Sequence, residues 1–592
     1  MSRTKKYLIG FIFLIVGLIC FIKASTTPTP DVKIISPNTT VSDLQLEIKQ
    51  SIEQEYASGN FTLTEPLIIH NPFKNSPLSY LLKFKTEQPT KIQVVVEGKT
   101  EHASLSYEND QLAQEHEIQL IGLYPDYRNT VNLVATSEDG TTSSATLEIL
   151  TNPIENMNFK PTVTSETSHS SELGLYLLND DYNKYLIDSY GDIRWVQEST
   201  SGSLVLLQNG NLLTYNKSYF HYYQVMLQEI DFLGQIFTTY YIPGAGHHSL
   251  FETASGDILI NSGDKTSEKY IEDMTYTIDR ETGAIVSETN IRDYLDITRF
   301  EQTLPQYINE SYNDWYHLNY AMIDSNDNTL ITSGRSQSMV LKIDEQSEEL
   351  KWIFGPHDEV TPEYQRYLLT PIGDKFSWAF AQHSAKTLPD MDNNPDTTDL
   401  ILFDNHVDIG VFPREEYTDL NQFSRGVHYR INEKDMTVEL LWEFGRELGS
   451  SARSTIISEI DYIEASNQML VLFGFAIHGN LSGGKLYEVN ADDSTDITFS
   501  MDLLGSGENH IYTAQNVSLD DLNLRSTVET PEVTVLGSEH LNAFKTMITT
   551  EQALPDATLH AESVQSVTLA DDILTLSAYI PVKSLEDTII LG

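Results

Sequence analysis

Cysteine is nearly missing from this chain, with Cys20 the one example in 592 residues. Beyond the N-terminal leader, therefore, no disulfide can form, no thiolate can act as a nucleophile, and no metal site can draw on sulfur. Positive charge is the second scarcity. Lysine and arginine number 37 against 86 aspartates and glutamates, for a formal charge of −49. Such a polyanion repels nucleic acid and anionic lipid unless cations gather in one place, and the body holds no lysine-arginine run. Nucleic-acid binding is excluded on that ground, and an anionic substrate would need a local positive site.

What is present is enough apolar surface for a large core: 40% hydrophobic and 10% aromatic residues. Arg3, Lys5 and Lys6 precede an apolar run from Tyr7 to Ile22, the pattern of an export signal. The run is slightly short for a spanning helix. Residues 1–25 are thus either a cleaved signal peptide or an N-terminal membrane anchor through residues 7–22, and both readings put the body outside the cytoplasm. Ile19 is too bulky to precede a lipidated cysteine, so Cys20 is read as a passive apolar residue. Residues 26–60 read as a Thr/Pro/Ser-rich linker followed by a short amphipathic helix at Leu44 to Tyr56.

From residue 61 short alternating strands take over, including Leu78 to Phe84, Lys91 to Glu97, His116 to Gly122 and Thr130 to Thr136. About seven before Asn152 predict a small β-sandwich over 61–155. Farther on, a pair recurs at strand ends: Ile187-Asp188, Ile230-Asp231, Ile278-Asp279, Ile343-Asp344, Ile431-Asn432 and Val489-Asn490. Trp352-Ile353-Phe354-Gly355 and Trp442-Glu443-Phe444-Gly445 repeat a second element at the same phase. Repeats of this length predict blades, and the expected fold is all-β: a six-bladed β-propeller over 165–592, preceded by the sandwich. The tail from Gly507, with strand-like runs at Glu532 to Leu536 and Asp572 to Ile580, is expected to close the last blade or pack beside it.

Three stretches carry chemistry. They are Gly246-His247-His248; Asp314-Trp315-Tyr316-His317-Leu318-Asn319 with Ser333-Gly334-Arg335 behind it; and Gln382-His383. His317 and Arg335 are eighteen residues apart, about one hairpin, so both can reach one end of a small sheet. Neutral histidine is a competent nucleophile near pH 7, protonated histidine a general acid, and arginine a planar fork for an oxyanion. Together they suit transfer of a sulfuryl or phosphoryl group without metal or nucleotide.

In this order the motifs resemble the bacterial PAPS-independent arylsulfate sulfotransferases. Asn71-Pro72-Phe73, the run Gly122 to Val131, and Leu402-Phe403-Asp404-Asn405 are similar to further elements of that family. The resemblance spans about residues 60 to 515. It implies His383 as the transiently sulfurylated nucleophile, His317 and Arg335 on the sulfuryl oxygens and leaving group, Asn319 beside them, and His247 or His248 completing the site. It further implies a phenolic sulfate donor, a phenol acceptor, no cofactor, and an extracytoplasmic protein that can form a homodimer. Unlike the better-known periplasmic members, this body has no cysteine pair near the site.

Other histidines, His406, His428 and His510, are read as structural, and His478 is left undecided between the channel and a turn. The run Gly479 to Leu486 nearly spells a phosphate loop, but Leu486 stands where a metal-binding hydroxyl is needed, so a hairpin turn is expected. The acidic loop Asp390 to Asp399 lacks the glycine and distal glutamate of an EF-hand and is read as a solvated loop, with calcium binding left open. The competing functional reading is a non-enzymatic propeller that binds a glycan or protein partner.

Overall fold

The computed structural model describes residues 41–540, apart from 156, 167–172, 181, 199–202, 217–223, 264–268, 301–305, 308–311, 414, 525–531 and 539, together with strands at 564–570 and 573–578. Residues 1–40, with the expected signal or anchor and the start of the linker, lie outside the described residues. No helix among those described is long and apolar enough to cross a membrane. One α-helix, Val41–Ser58, covers the expected amphipathic segment and buries Ile52 and Tyr56. Gln45 ties it to the body: its side chain both donates to and accepts from the backbone of Ile236, at 3.0 and 2.8 Å.

Nearly everything else is strand. Leu67–His70, Tyr80–Val96, Leu105–Leu120, Arg128–Ser137 and Thr142–Leu150 form one five-stranded sheet. About seven strands were expected here, so this is a correction. The reason is that the chain does not turn between Phe84 and Lys91: Tyr80–Val96 runs through as one strand, with only register shifts against its neighbour at Lys85 to Ile92. Its inner face packs on Leu177, Trp195 and Phe232 in one continuous core with the sheets that follow. Buried Arg194 stitches the two together, pairing with Asp188 at 2.9 Å and donating to the carbonyls of Gly122 and Ala103.

Apart from two two-stranded pairs, at 306–313 and 564–578, and a parallel edge strand at Thr370–Ile372, the rest is built of antiparallel four-stranded units. One joins Thr513–Val517 to Leu175–Asn179, Asn183–Asp188 and Ile193–Glu198. The next two run from Leu204–Leu206 to Ile285–Asn290 and share the long strand Ile236–Glu252. Then come Leu318–Ile323 to Glu349–Phe354, His383–Thr387 to Thr437–Phe444, and Glu459–Ile463 to Ile497–Ser506. Phe159–Glu166 adds an edge strand to the last of these.

The Ile-Asp repeat now has a physical meaning. Every pair ends the third strand of a unit, and its polar member accepts a backbone N–H in the following turn: Asp188 from Tyr190, Asp231 from Leu233, Asp279 from Glu281, Asp344 from Gln346, Asn432 from Asp435 and Asn490 from Asp492. The apolar member points into a core while the Asx turn starts the return strand.

The cores lie between consecutive units. Leu213, Tyr240 and Ile260 form one such layer; Leu259, Leu318 and Leu341 the next; then Val340, Trp352, Leu402 and Tyr429; then Phe403, Trp442, Val471 and Phe473. Tyr176, Tyr185, Leu472 and Phe499 bring the last unit back to the first. Closure is also made by strand pairing, because the first unit takes its inner strand, Thr513–Val517, from more than 300 residues further along the chain. Of the tail expected to close the last blade or pack beside it, the segment at 534–536 pairs in parallel with Thr238 to Tyr240 of the second unit.

Candidate active site

The first strands of the units line one shaft, and the candidate residues sit where those strands begin. His247 and His248 lie in Ile236–Glu252, His317 immediately precedes Leu318–Ile323, and His383 opens His383–Thr387. At all three places the ladder slips: between His247 and Leu250, between Leu318 and Tyr320, and between His383 and Lys386. The slips coincide with left-handed backbone at His248 (φ 54°), His317 (φ 53°) and Ser384 (φ 55°). A bulge re-aims a side chain that would otherwise alternate with the pleat, and left-handed histidine is unfavourable enough to be kept only where surrounding structure holds it.

The predicted hairpin closes as the spacing suggested: the Arg335 N–H donates to the His317 carbonyl at 3.1 Å. Buried Arg299 braces both arms. It donates to the backbone and side-chain oxygens of Gln337 and to the carbonyls of Pro356 and Asp358, while Trp315 Nε1 donates to the Arg299 carbonyl. The Arg335 guanidinium forms no salt bridge with any described residue, and its charge lowers the proton affinity of both Asp314 and His383.

His317 Nδ1 lies 2.5 Å from Asp314 Oδ2 and 3.0 Å from Glu272 Oε2. Burial works against its charge, but the two carboxylates outweigh it and push the imidazole up to about 10. In return Glu272 is held below the ordinary carboxylate range despite its burial, chiefly by His317 and then His247. Asp314 is raised to about 6 by burial. With Nδ1 occupied by carboxylates, Nε2 is the nitrogen left to carry a proton outward.

His383 is built the opposite way. Its Nδ1 meets Asn405 Oδ1 at 2.7 Å, and both protons of the Asn405 amide are committed to the carbonyls of Ser454 and Ile457 at 2.9 Å. The amide oxygen must therefore face the ring, so Nδ1 carries the hydrogen and Nε2 the lone pair. Burial, then the charge of Arg335, lowers His383 to about 3. It is neutral across the physiological range.

Of the two adjacent histidines, His248 is the one against His317, with ring centroids 4.7 Å apart at 71°. His247 stands behind it, Nδ1 to Nδ1 at 2.8 Å. Burial and the neighbouring cationic His317 hold His248 well below its ordinary value. Asn319 reaches the next unit rather than His317: its amide donates to the Gln382 carbonyl at 2.6 Å, leaving Oδ1 buried without a partner.

Sequence reasoning assigned no role to Glu272, Asp314, Asn405 or Tyr512. Asp314 and Asn405 stood inside quoted motifs, but nothing in one dimension tied them to His317 and His383. Glu272 and Tyr512 belong to no motif. His406 is structural: it pairs with Asp404 at 3.0 Å and stacks on Phe423. His428 binds Asp399, His510 packs on Phe475, and His478 is exposed at a hairpin tip. The run 479–486 forms that hairpin and its returning strand. In the acidic loop, Asp390 accepts from backbone N–H groups, and Asp392 and Asp399 pair with Arg430.

A family model described as arylsulfotransferase (ASST) matches residues 160–512, and one described as the arylsulfotransferase Ig-like domain matches 67–152. The chain belongs to the arylsulfotransferase family. Arylsulfate sulfotransferase AssT of Lelliottia amnigena is 23% identical to it over 577 residues, covering 75% of this chain and 91% of the relative. AssT of Escherichia coli O6:H1 is 22% identical over 579 residues, with the same shares. As an arylsulfotransferase the chain is an enzyme that transfers a sulfur-containing group.

Among the described residues, two ligand sets in this arylsulfotransferase have atoms close enough for a metal: His247, His248 and Glu272, and Glu272, Asp314 and His317. In the second, Asp314 and Glu272 flank Nδ1 of His317 as a carboxylate-paired imidazole.

Proposed function

We propose that this arylsulfotransferase moves a sulfuryl group from a phenolic sulfate ester to an acceptor phenol in two displacements through sulfo-His383, without PAPS. The observation that carries the reading is the opposed protonation of two histidines, one buried and one half-buried: His383 neutral and His317 charged, each with Nδ1 engaged and Nε2 in no hydrogen bond with a described residue. Titratable groups whose surroundings push them apart mark the acid and the nucleophile.

In the first displacement the S–N bond to His383 Nε2 forms as the S–O bond to the aryl oxygen breaks, and the proton of His317 Nε2 passes to the departing oxygen. Asn405 Oδ1 accepts from Nδ1–H of the ring, which becomes cationic when sulfurylated. Arg335, in no salt bridge with a described residue, neutralises the sulfuryl oxygens. In the second displacement the acceptor phenol returns its proton to His317 as its oxygen bonds to sulfur and the S–N bond breaks. Each half-reaction exchanges one sulfuryl group against one proton, so neither nucleotide nor metal is required. His248 supports His317 and shields the charge from water.

The four-stranded units are read as six blades around the shaft, with 61–155 as a leading sandwich-like domain. Residues 7–22 are read as directing the chain out of the cytoplasm.

The test is release of chromophore from 4-nitrophenyl sulfate in the presence and absence of excess phenol. Release that depends on phenol, together with a sulfuryl adduct on His383 preserved at alkaline pH, is the expected result. Undiminished transfer by His383→Ala would sink the assignment.

A further inference from the structure

Tyr512 lies just ahead of the strand that closes the ring, and its backbone is firmly placed: its N–H donates to the Asn179 carbonyl at 3.0 Å, and Thr513 binds the Asn179 side chain through N–H and hydroxyl at 3.0 and 2.6 Å. Its side chain enters the shaft. The ring stands 6.2 Å from that of His248, and the residue lines, with His383, Asn319 and Ser249, a cavity whose open volume is about 40 Å³. Yet the hydroxyl is buried with no hydrogen-bond partner among the described residues. A buried phenolic O–H left unmade is costly, and native structures retain few, so this one calls for a ligand.

The ligand is constrained by its neighbours. Asn319, whose Oδ1 is likewise buried without a partner among the described residues, lines the same cavity with His383, and the charge of Arg335 acts on His383. In the transition state of sulfuryl transfer, charge spreads over three equatorial oxygens, and donors aimed at them lower the barrier. Arg335 and His317 serve the sulfuryl group and leaving oxygen, and a neutral donor on the remaining side completes the set. Burial, then the charge of Glu272, keeps the Tyr512 phenol protonated, which preserves its donor and withholds a phenolate that could itself accept the group.

Resting on the sulfohistidine reading above, we propose that the Tyr512 hydroxyl donates a hydrogen bond to a non-bridging sulfuryl oxygen as the group passes to and from His383. The orphaned hydroxyl is thus a stability cost retained for turnover. Tyr512→Phe is expected to lower kcat roughly 10- to 100-fold with little change in KM for the donor, and to leave Tm equal or higher. A purely structural tyrosine would instead lower Tm. Tyr512→Gln, which offers an amide donor, is expected to recover part of kcat.

The decisive experiment measures these parameters beside peptide mapping of wild-type enzyme treated with 4-nitrophenyl sulfate alone. Label on His383 with slow transfer by a well-folded Tyr512→Phe supports the proposal. Label on His383 with kcat retained within about twofold overturns the role of Tyr512 and leaves the sulfohistidine reading intact. A sulfate ester on Tyr512 overturns it too, since the residue is then an acceptor. No label on His383 removes both.

Discussion

His317 and His383 are the same side chain at the start of the first strands of neighbouring units, the one half-buried and the other buried, and their surroundings drive them in opposite directions. Around His317 two carboxylates share Nδ1 and hold the ring charged; around His383 an amide oxygen accepts from Nδ1 while Arg335 stands near. Burial disfavours charge in both places. The partner of one nitrogen therefore decides the chemistry of the other. In the proposed mechanism one pocket serves as proton donor and the other as nucleophile.

Removing the nucleophile breaks the contrast most completely. His383→Ala is expected to reduce transfer by at least roughly 1,000-fold, measured as 4-nitrophenol release with excess phenol. Next, Asp314→Asn discharges the donor pocket. Transfer from phenyl sulfate, whose leaving group needs a proton, should fall about 100-fold, and transfer from 4-nitrophenyl sulfate far less. Its pH profile sharpens the point: the alkaline limb set by His317, near 10 in the wild type, should move toward neutrality, and Glu272→Gln should move it the same way.

Asn405→Asp would make the nucleophile pocket resemble the donor pocket. A carboxylate on Nδ1 favours the charged ring, so the acid limb, near 3 in the wild type, should rise toward neutrality. Activity at pH 5 relative to pH 8 is expected to fall about tenfold. The same contrast appears in stability, with opposite signs. His383 is depressed in the folded state, so its contribution is whole above about 6.5 and is lost as pH falls toward about 3. His317 is raised, so its contribution is whole below about 6.5 and is lost as pH rises through about 10. Melting curves of His383→Asn should therefore fall less steeply with acid than those of the wild type. The smallest effect is expected from EDTA: unchanged turnover after dialysis, whereas a loss restored by zinc would make the His317 cluster a metal centre.

Features whose cause is local were readable in one dimension. The Ile-Asp pairs mark units because an Asx turn is made by residues two to four apart. The span from His317 to Arg335 predicted a hairpin because strand length and turn length are bounded. Strand counting before Asn152 failed because a polar stretch, Thr86 to Pro89, looks like a turn but continues as extended chain through the register shift between Lys85 and Thr90. That His248 rather than His247 faces His317 is set by the tertiary structure, where the backbone at His248 is left-handed.

Alone, the sequence determined the all-β class, the turn chemistry at each unit's third strand, the excess of negative charge, and which histidines and arginine stand in ordered motifs. Tertiary structure decided what those histidines are. Glu272 and Asn405 reach His317 and His383 only because separate strands start beside one shaft, and Tyr512 arrives there because the end of the chain closes the first unit. Proton affinity is a property of neighbours in space, and in a fold closed on itself those neighbours are distant in sequence.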